Sequence, residues 1–209
     1  MLDYHQQNHW ANGFGGQQSP IDIDPKITIA NQQSLSFSMD TNYHLTKLIN
    51  DQTTIRLIGA GQAVIFNREF NLQQVHFHAP AEHLIDGQQY PFEVHLVHQN
   101  TIGQLLVVAL MVNVASPSDQ LNTILDHFDV NNDVDVNIDI TEWLQLNDRT
   151  GFHYLGSLTT PPLTEGVEWI VLDAPALTIS AAQLKRYQSL FAPNNRIPQP
   201  LNHRHIYKL

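Results

Sequence analysis

The stretch "QQVHFHAPAEH", residues 73 to 83, sets three histidines and a glutamate close together in a chain that has no cysteine. In an extended segment successive side chains alternate, so Gln74, His76 and His78 share one face while Val75 and Phe77 share the other. The stretch "FEVHLVHQ" (92 to 99) groups Glu93, His95 and Val97 in the same way, opposite Val94, Leu96 and His98. Between the two lie Pro80, Asp86-Gly87 and Pro91, all turn formers. Antiparallel pairing would bring His76, His78 and His95 together on one side. Three protein ligands with a fourth position open to water are the ligand set of a catalytic zinc ion. Three neutral imidazoles leave the ion's charge uncompensated, so a coordinated water loses a proton near neutral pH and becomes a hydroxide nucleophile. Gln74 and Glu93 fall on the ligand face, where an amide or carboxylate takes the second N–H of a ligating imidazole.

A second metal chemistry fits part of this pattern. "HFHAPAE" also reads as H-x-H-x3-E, which resembles the first cupin motif, where both histidines and Glu82 would hold iron or manganese. Against it, Phe70 and Gln89 stand where that pattern has glycine, and Gln99 stands four residues after His95 where asparagine is expected. The histidines at 5, 9, 44, 83, 98, 127, 153, 203 and 205 are read as structural, since an isolated histidine is more often a packed or surface side chain than a ligand.

The elements that must position these residues read as strands. Runs rich in β-branched and aromatic residues recur with turn formers between them: "TTIRLIG" (53 to 59), "AVIFN" (63 to 67), "QQVHFHA" (73 to 79), "FEVHLVHQ" (92 to 99), "QLLVVALMVN" (104 to 113) and "GVEWIVLD" (166 to 173). Two segments have helical spacing. "SPSDQLNTILDHF" (116 to 128) places Leu121, Leu125 and Phe128 on one face behind Ser or Asp caps, and "SAAQLKRYQSLF" (180 to 191) does so with Leu184, Tyr187 and Phe191. The expected fold is mostly β: one domain over residues 1–209, with a large central, mainly antiparallel twisted sheet and a few peripheral helices.

Composition narrows the function classes. At 209 residues the chain is long enough for one large core, and no linker or repeat divides it. A net charge of -10 leaves no basic stripe for a nucleic acid partner. With no cysteine, disulfides and thiolate metal sites are excluded and any metal must use histidine and carboxylate. The start "MLDYHQQNHW" has no charged region leading into an apolar one, and "LLVVALMV" (105 to 112) is too short to span a bilayer. A cytoplasmic protein without a membrane partner is expected, unless a leader precedes residue 1.

Five motifs, "QSPIDI" (18 to 23), "QVHFHAPAEH", "EVHLVH", "YLGSLTTPPLTEGVEWIVL" (154 to 172) and "NNRIPQPLNHR" (194 to 204), stand in the order in which α-class carbonic anhydrases carry them, and the chain resembles that family over residues 18 to 204. The resemblance implies a zinc lyase in which metal-bound hydroxide attacks CO2 and bicarbonate leaves. His76, His78 and His95 would be the zinc ligands, oriented respectively by Gln74, by the Asn194 carbonyl and by Glu93. Thr159 would be the gatekeeper whose hydroxyl accepts from the hydroxide and donates to Glu82. Val97, Val107, Leu158, Val167 and Trp169 would form the apolar niche for CO2, with Thr160 on its polar side and Tyr4 in the solvent network. Sulfonamides and anions would inhibit, activated esters would be hydrolysed as a side reaction, and a homodimer is permitted.

The chain departs from the family in places. Aligning "INDQTTIRL" (49 to 57) with the family's segment puts Thr53 where the proton-shuttle histidine stands, and a one-residue shift brings Gln52 or Thr54 instead. Threonine does not titrate near neutral pH, so turnover is expected to depend on buffer, with His5 as a substitute shuttle. The cysteines that bacterial relatives pair are replaced here by Gly15 or Gly16 and by Leu163, leaving Pro161 and Pro162 to stiffen the Thr159 loop. Ala79 stands where vertebrate relatives have tryptophan. A non-catalytic binding module is the remaining alternative, since some relatives lose ligands.

Overall fold

A strand at the centre of a sheet covered on both faces is buried at nearly every position, and "FEVHLVHQ" is, its polar Glu93, His95 and His98 included. The computed structural model describes residues 2–30, 37–144, 151–173 and 176–209. Its strands are β1 (Asp22–Ile23), β2 (Ile29–Ala30), β3 (Phe37–Met39), β4 (His44–Asn50), β5 (Ile55–Ala60), β6 (Gln62–Ile65), β7 (Arg68–His78), β8 (Leu84–Ile85), β9 (Gln88–Gln89), β10 (Phe92–Gln99), β11 (Leu105–Val112), β12 (Val134–Asp139), β13 (Gly151–Ser157), β14 (Glu165–Leu172) and β15 (Tyr207–Lys208). Helix α1 spans Asp119–His127 and α2 spans Ala181–Leu190.

The main sheet runs β12-β4-β5-β7-β10-β11-β14-β13-β15-β2, with β6 also on β7 and β3 on β6. Most pairs are antiparallel; β11 with β14 and β15 with β2 are parallel. The expected runs are all strands, although β7 extends five residues N-terminal to the "QQVHFHA" run, through Arg68. Strands β4, β12 and β13 lie outside those runs, because Lys47, Asp135, Gly151 and Gly156 dilute their β signal.

Alternation sorts the side chains into two cores. Val94, Leu96, Val108, Leu110 and Ile170 pack on one face of the sheet, under α1 and α2. Val97, Val107, Ala109, Met111 and Trp169 pack on the other. Both helices are shorter than their sequence spacing and start where a side chain caps the first turn. Ser118 accepts from Leu121 N, and Ser180 forms a reciprocal box with Gln183, each worth about 1 kcal/mol. Among the described residues no helix is long and apolar enough to cross a membrane.

Candidate metal centre

β7 and β10 pair antiparallel, with His76 opposite His95 and His78 opposite Glu93. The register extends the ligand face across the sheet, so that Gln74, Val97, Val107 and Trp169 form the adjacent row. One ligand-capable nitrogen from each of His76, His78 and His95 lies within 4.8 Å of the others. His95 Nδ1 and His76 Nε2 are 3.2 Å apart, and His78 Nε2 is buried without a hydrogen-bond partner.

The second nitrogens explain how the rings are turned. His78 Nδ1 donates to the Asn194 carbonyl at 2.8 Å and His95 Nε2 to Glu93 Oε1 at 2.6 Å. Each bond leaves the opposite nitrogen free toward the common point. His76 differs: Gln74 makes no hydrogen bond with it, and its Nδ1 has no partner. Burial lowers the pKa of all three rings, and for His76 the neighbouring His95 and His78 lower it further. The imidazoles are therefore neutral, with lone pairs available, and a buried orphan nitrogen among three such donors fits a tetrahedral zinc ion with one open position.

Glu93 is fully buried, yet its pKa lies well below the usual carboxylate range. Burial pushes it up, but His83 and His95 outweigh that, and the backbone N–H groups of Glu82 and His83 also donate to it at 2.7 and 2.9 Å. His83 bonds Glu93 through Nδ1 and the Tyr154 hydroxyl through Nε2, both at 2.7 Å, and Tyr154 donates to Ser19 Oγ at 2.8 Å. The close grouping of His83, Glu93 and His95 is thus satisfied by its own hydrogen bonds. His83 thus supports the candidate ligand His95 through Glu93. Its sole local signal was the acidic neighbour in "AEH".

Glu82 belongs to neither metal-capable group. Its Oε1 accepts from Arg196 N at 2.7 Å, while Oε2 has no partner. Burial raises its pKa to about 7, Glu93 adds to the rise, and His95, the Arg196 N–H and the Thr159 hydroxyl oppose it. No hydrogen bond of ordinary length joins Thr159 to Glu82, but the hydroxyl is near enough to stabilise the charged carboxylate. Val97, Val107, Val167 and Trp169 lie in one buried apolar cluster with Leu158 at its margin, and Thr160 is half-buried beside Thr159.

Tyr4, His5, Gln52, Thr53 and Asn194 line a cavity of about 380 Å³. Thr54 does not belong to it, being buried with its hydroxyl on the Phe77 carbonyl. Glu165 Oε1 accepts from Gln17 N at 2.8 Å beside Gly15.

The model of the eukaryotic-type carbonic anhydrase family matches residues 5–209. The chain belongs to the carbonic anhydrase family. It is 38% identical over 200 residues to a carbonic anhydrase of Pectobacterium atrosepticum, covering 92% of this chain and 80% of that relative. Its fold superposes on the Photobacterium profundum alpha-carbonic anhydrase with a TM-score of 0.86 at 33% identity, covering 97% of this chain and 94% of that one. The alpha-carbonic anhydrase of Thermovibrio ammonificans, solved with the inhibitor sulfanilamide, matches with a TM-score of 0.85 at 33% identity over 92% of this chain and 87% of its own. This carbonic anhydrase shares their fold, and its own sequence contains no cysteine.

Proposed function

We infer that this carbonic anhydrase interconverts CO2 and bicarbonate with a zinc ion held by His76, His78 and His95. The observation that carries the reading is the convergence of three neutral imidazole nitrogens, with His78 Nε2 buried and unpaired and the far nitrogens of His78 and His95 held by Asn194 and Glu93. When bound, zinc supplies a Lewis acid that lowers the pKa of a coordinated water to about 7.

The rest falls to the chain's own residues. Glu93 and Asn194 orient two ligands, and Gln74, on the same face two residues before His76, is the group to take up His76 Nδ1. The unpaired Glu82 Oε2 accepts a hydrogen bond from the Thr159 hydroxyl, which leaves the Thr159 oxygen free to act as an acceptor in the site. The Thr159 backbone N–H and Thr160 hold the anionic product. CO2 has no net charge or dipole, so the cluster of Val97, Val107, Leu158, Val167 and Trp169 receives it by excluding water. Thr53 and Tyr4 flank the exit route, and His5, lining the same cavity, takes the departing proton. Sulfonamides and anions compete at the open position, in keeping with the sulfanilamide-bound relative.

Stopped-flow CO2 hydration tests this reading on zinc-loaded and zinc-stripped protein, with and without a sulfonamide. Hydration that needs zinc and is blocked by the sulfonamide is expected. Zinc-loaded protein with no activity above buffer would end it.

A further inference from the structure

Thr159 sits in the hairpin that joins β13 to β14. The hairpin is closed by Leu158 N to Thr164 O at 2.9 Å and by Leu163 N to Thr160 O at 3.0 Å. It passes through Leu163 at φ 63, a left-handed conformation that a residue with a Cβ adopts only against a steric cost. The β13 to β14 register also shifts between Gly156 and Ser157, which leaves Ser157 opposite Glu165 as the last pair before the hairpin.

Contacts from outside the hairpin hold this shape. Glu165, at its base, uses one oxygen, Oε1, to accept from Gln17 N at 2.8 Å and from Gln18 Nε2 at 3.1 Å. Gln18 Nε2 also donates to the carbonyl of Leu163 at 3.1 Å, the residue in the left-handed conformation. The other end of the same amide, Gln18 Oε1, accepts from Arg196 Nη1 at 2.9 Å. Arg196 then donates its backbone N–H to Glu82 Oε1 at 2.7 Å. Gln18 is 3% exposed and Arg196 6%, so water cannot replace these bonds cheaply. A Cβ on Gly15 would lie 3.1 Å from Glu165 Oε1, which places the N-terminal segment directly against the carboxylate.

A single buried amide therefore ties the Thr159 hairpin on one side to the segment carrying Glu82's partner on the other. We propose that Gln18 and Glu165 are positioning residues that set Thr159 against Glu82, an inference that rests on the gatekeeper reading of that pair. Glu165 acts as an acceptor and not through its charge, since both of its bonds fall on one oxygen and the amide oxygen of glutamine can take both.

Hydrogen exchange on the metal-free protein reads this without catalysis. Glu165→Ala and Gln18→Ala are expected to speed exchange at the Leu158 and Leu163 amides by about tenfold, with Leu96 in β10 unchanged and Glu165→Gln within about threefold of the parent. In the zinc-loaded enzyme Glu165→Ala is expected to lower kcat by about tenfold at unchanged zinc affinity, while Glu165→Gln restores it. Unchanged exchange at Leu158 and Leu163, equal acceleration at Leu96, or a Glu165→Gln variant that behaves like Glu165→Ala would each overturn the proposal. A parent enzyme that binds zinc but does not hydrate CO2 would sink the functional reading instead, and the exchange pattern would still decide whether Glu165 holds the hairpin.

Discussion

One oxygen of Glu93, Oε1, lies 2.6 Å from His95 Nε2 and 2.7 Å from His83 Nδ1, so a single carboxylate orients a ring of the candidate metal centre and a ring of the network behind it at once. Its other oxygen takes two backbone N–H groups from the turn that follows β7. Four donors keep this buried group ionised, and the ionised form raises the basicity of His95.

Glu93→Gln should therefore weaken zinc binding by roughly 10–100-fold, because the amide lacks the charge and cannot accept from both rings without turning a donor toward one. Competition with a chromophoric chelator measures it. Unchanged affinity would mean that strand register alone orients His95.

Thr53 lines the cavity that also holds Tyr4 and His5. Thr53→His should raise CO2 hydration at low buffer concentration and leave it unchanged at high buffer, because a positioned imidazole supplies the proton carrier that threonine lacks. His5→Ala should lower hydration at low buffer concentration and likewise leave it unchanged at high buffer. Stopped-flow rates across a buffer series distinguish the two, and a flat series in the parent would refute the missing-shuttle reading.

Gly156 leaves no room for a side chain. A Cβ there would come within 2.1 Å of Ser19 Oγ and 2.8 Å of the Tyr154 ring, the two groups that continue the Glu93 and His83 network. Gly156→Ala should cost on the order of 2–3 kcal/mol, read by urea unfolding. An unchanged midpoint would show that Ser19 can move aside.

Glu168 reports on acid stability. Burial raises its pKa, but His153, 3.5 Å away, and the paired bonds from Arg68 at 2.7 Å prevail and hold it down at about 2. A depressed carboxylate contributes fully above the unfolded value of about 4.3 and loses that contribution as pH falls toward the folded value. Glu168→Gln should therefore lower Tm at pH 7 and remove part of the parent's decline between pH 4.5 and 2. Allowing for the exposure of Arg68, the effect is about 2 kcal/mol. Parallel Tm curves for the two proteins would refute the assignment.

The grouping of the three histidines was legible wherever its pattern is local. His76 and His78 share a face because strand alternation is a property of the backbone, and Glu93 and His95 follow the same rule. The cysteine-free composition restricted the ligand chemistry to nitrogen and carboxylate, and the capped helices began at Ser118 and Ser180 because capping is decided within one turn.

What the tertiary structure alone decided is register and long-range partnership. Placing His76 opposite His95 depends on which residues of β7 and β10 pair, and a slip of one residue would send one histidine to the other core. Gln74 has the right spacing but does not reach His76, because sharing a face does not set a side chain's rotamer. The partners of His78, His83 and Glu82, namely the Asn194 carbonyl, the Tyr154 hydroxyl and the Arg196 amide, arrive from segments far along the chain. A backbone carbonyl or amide is present at nearly every residue, so only folding selects which one meets a buried ring.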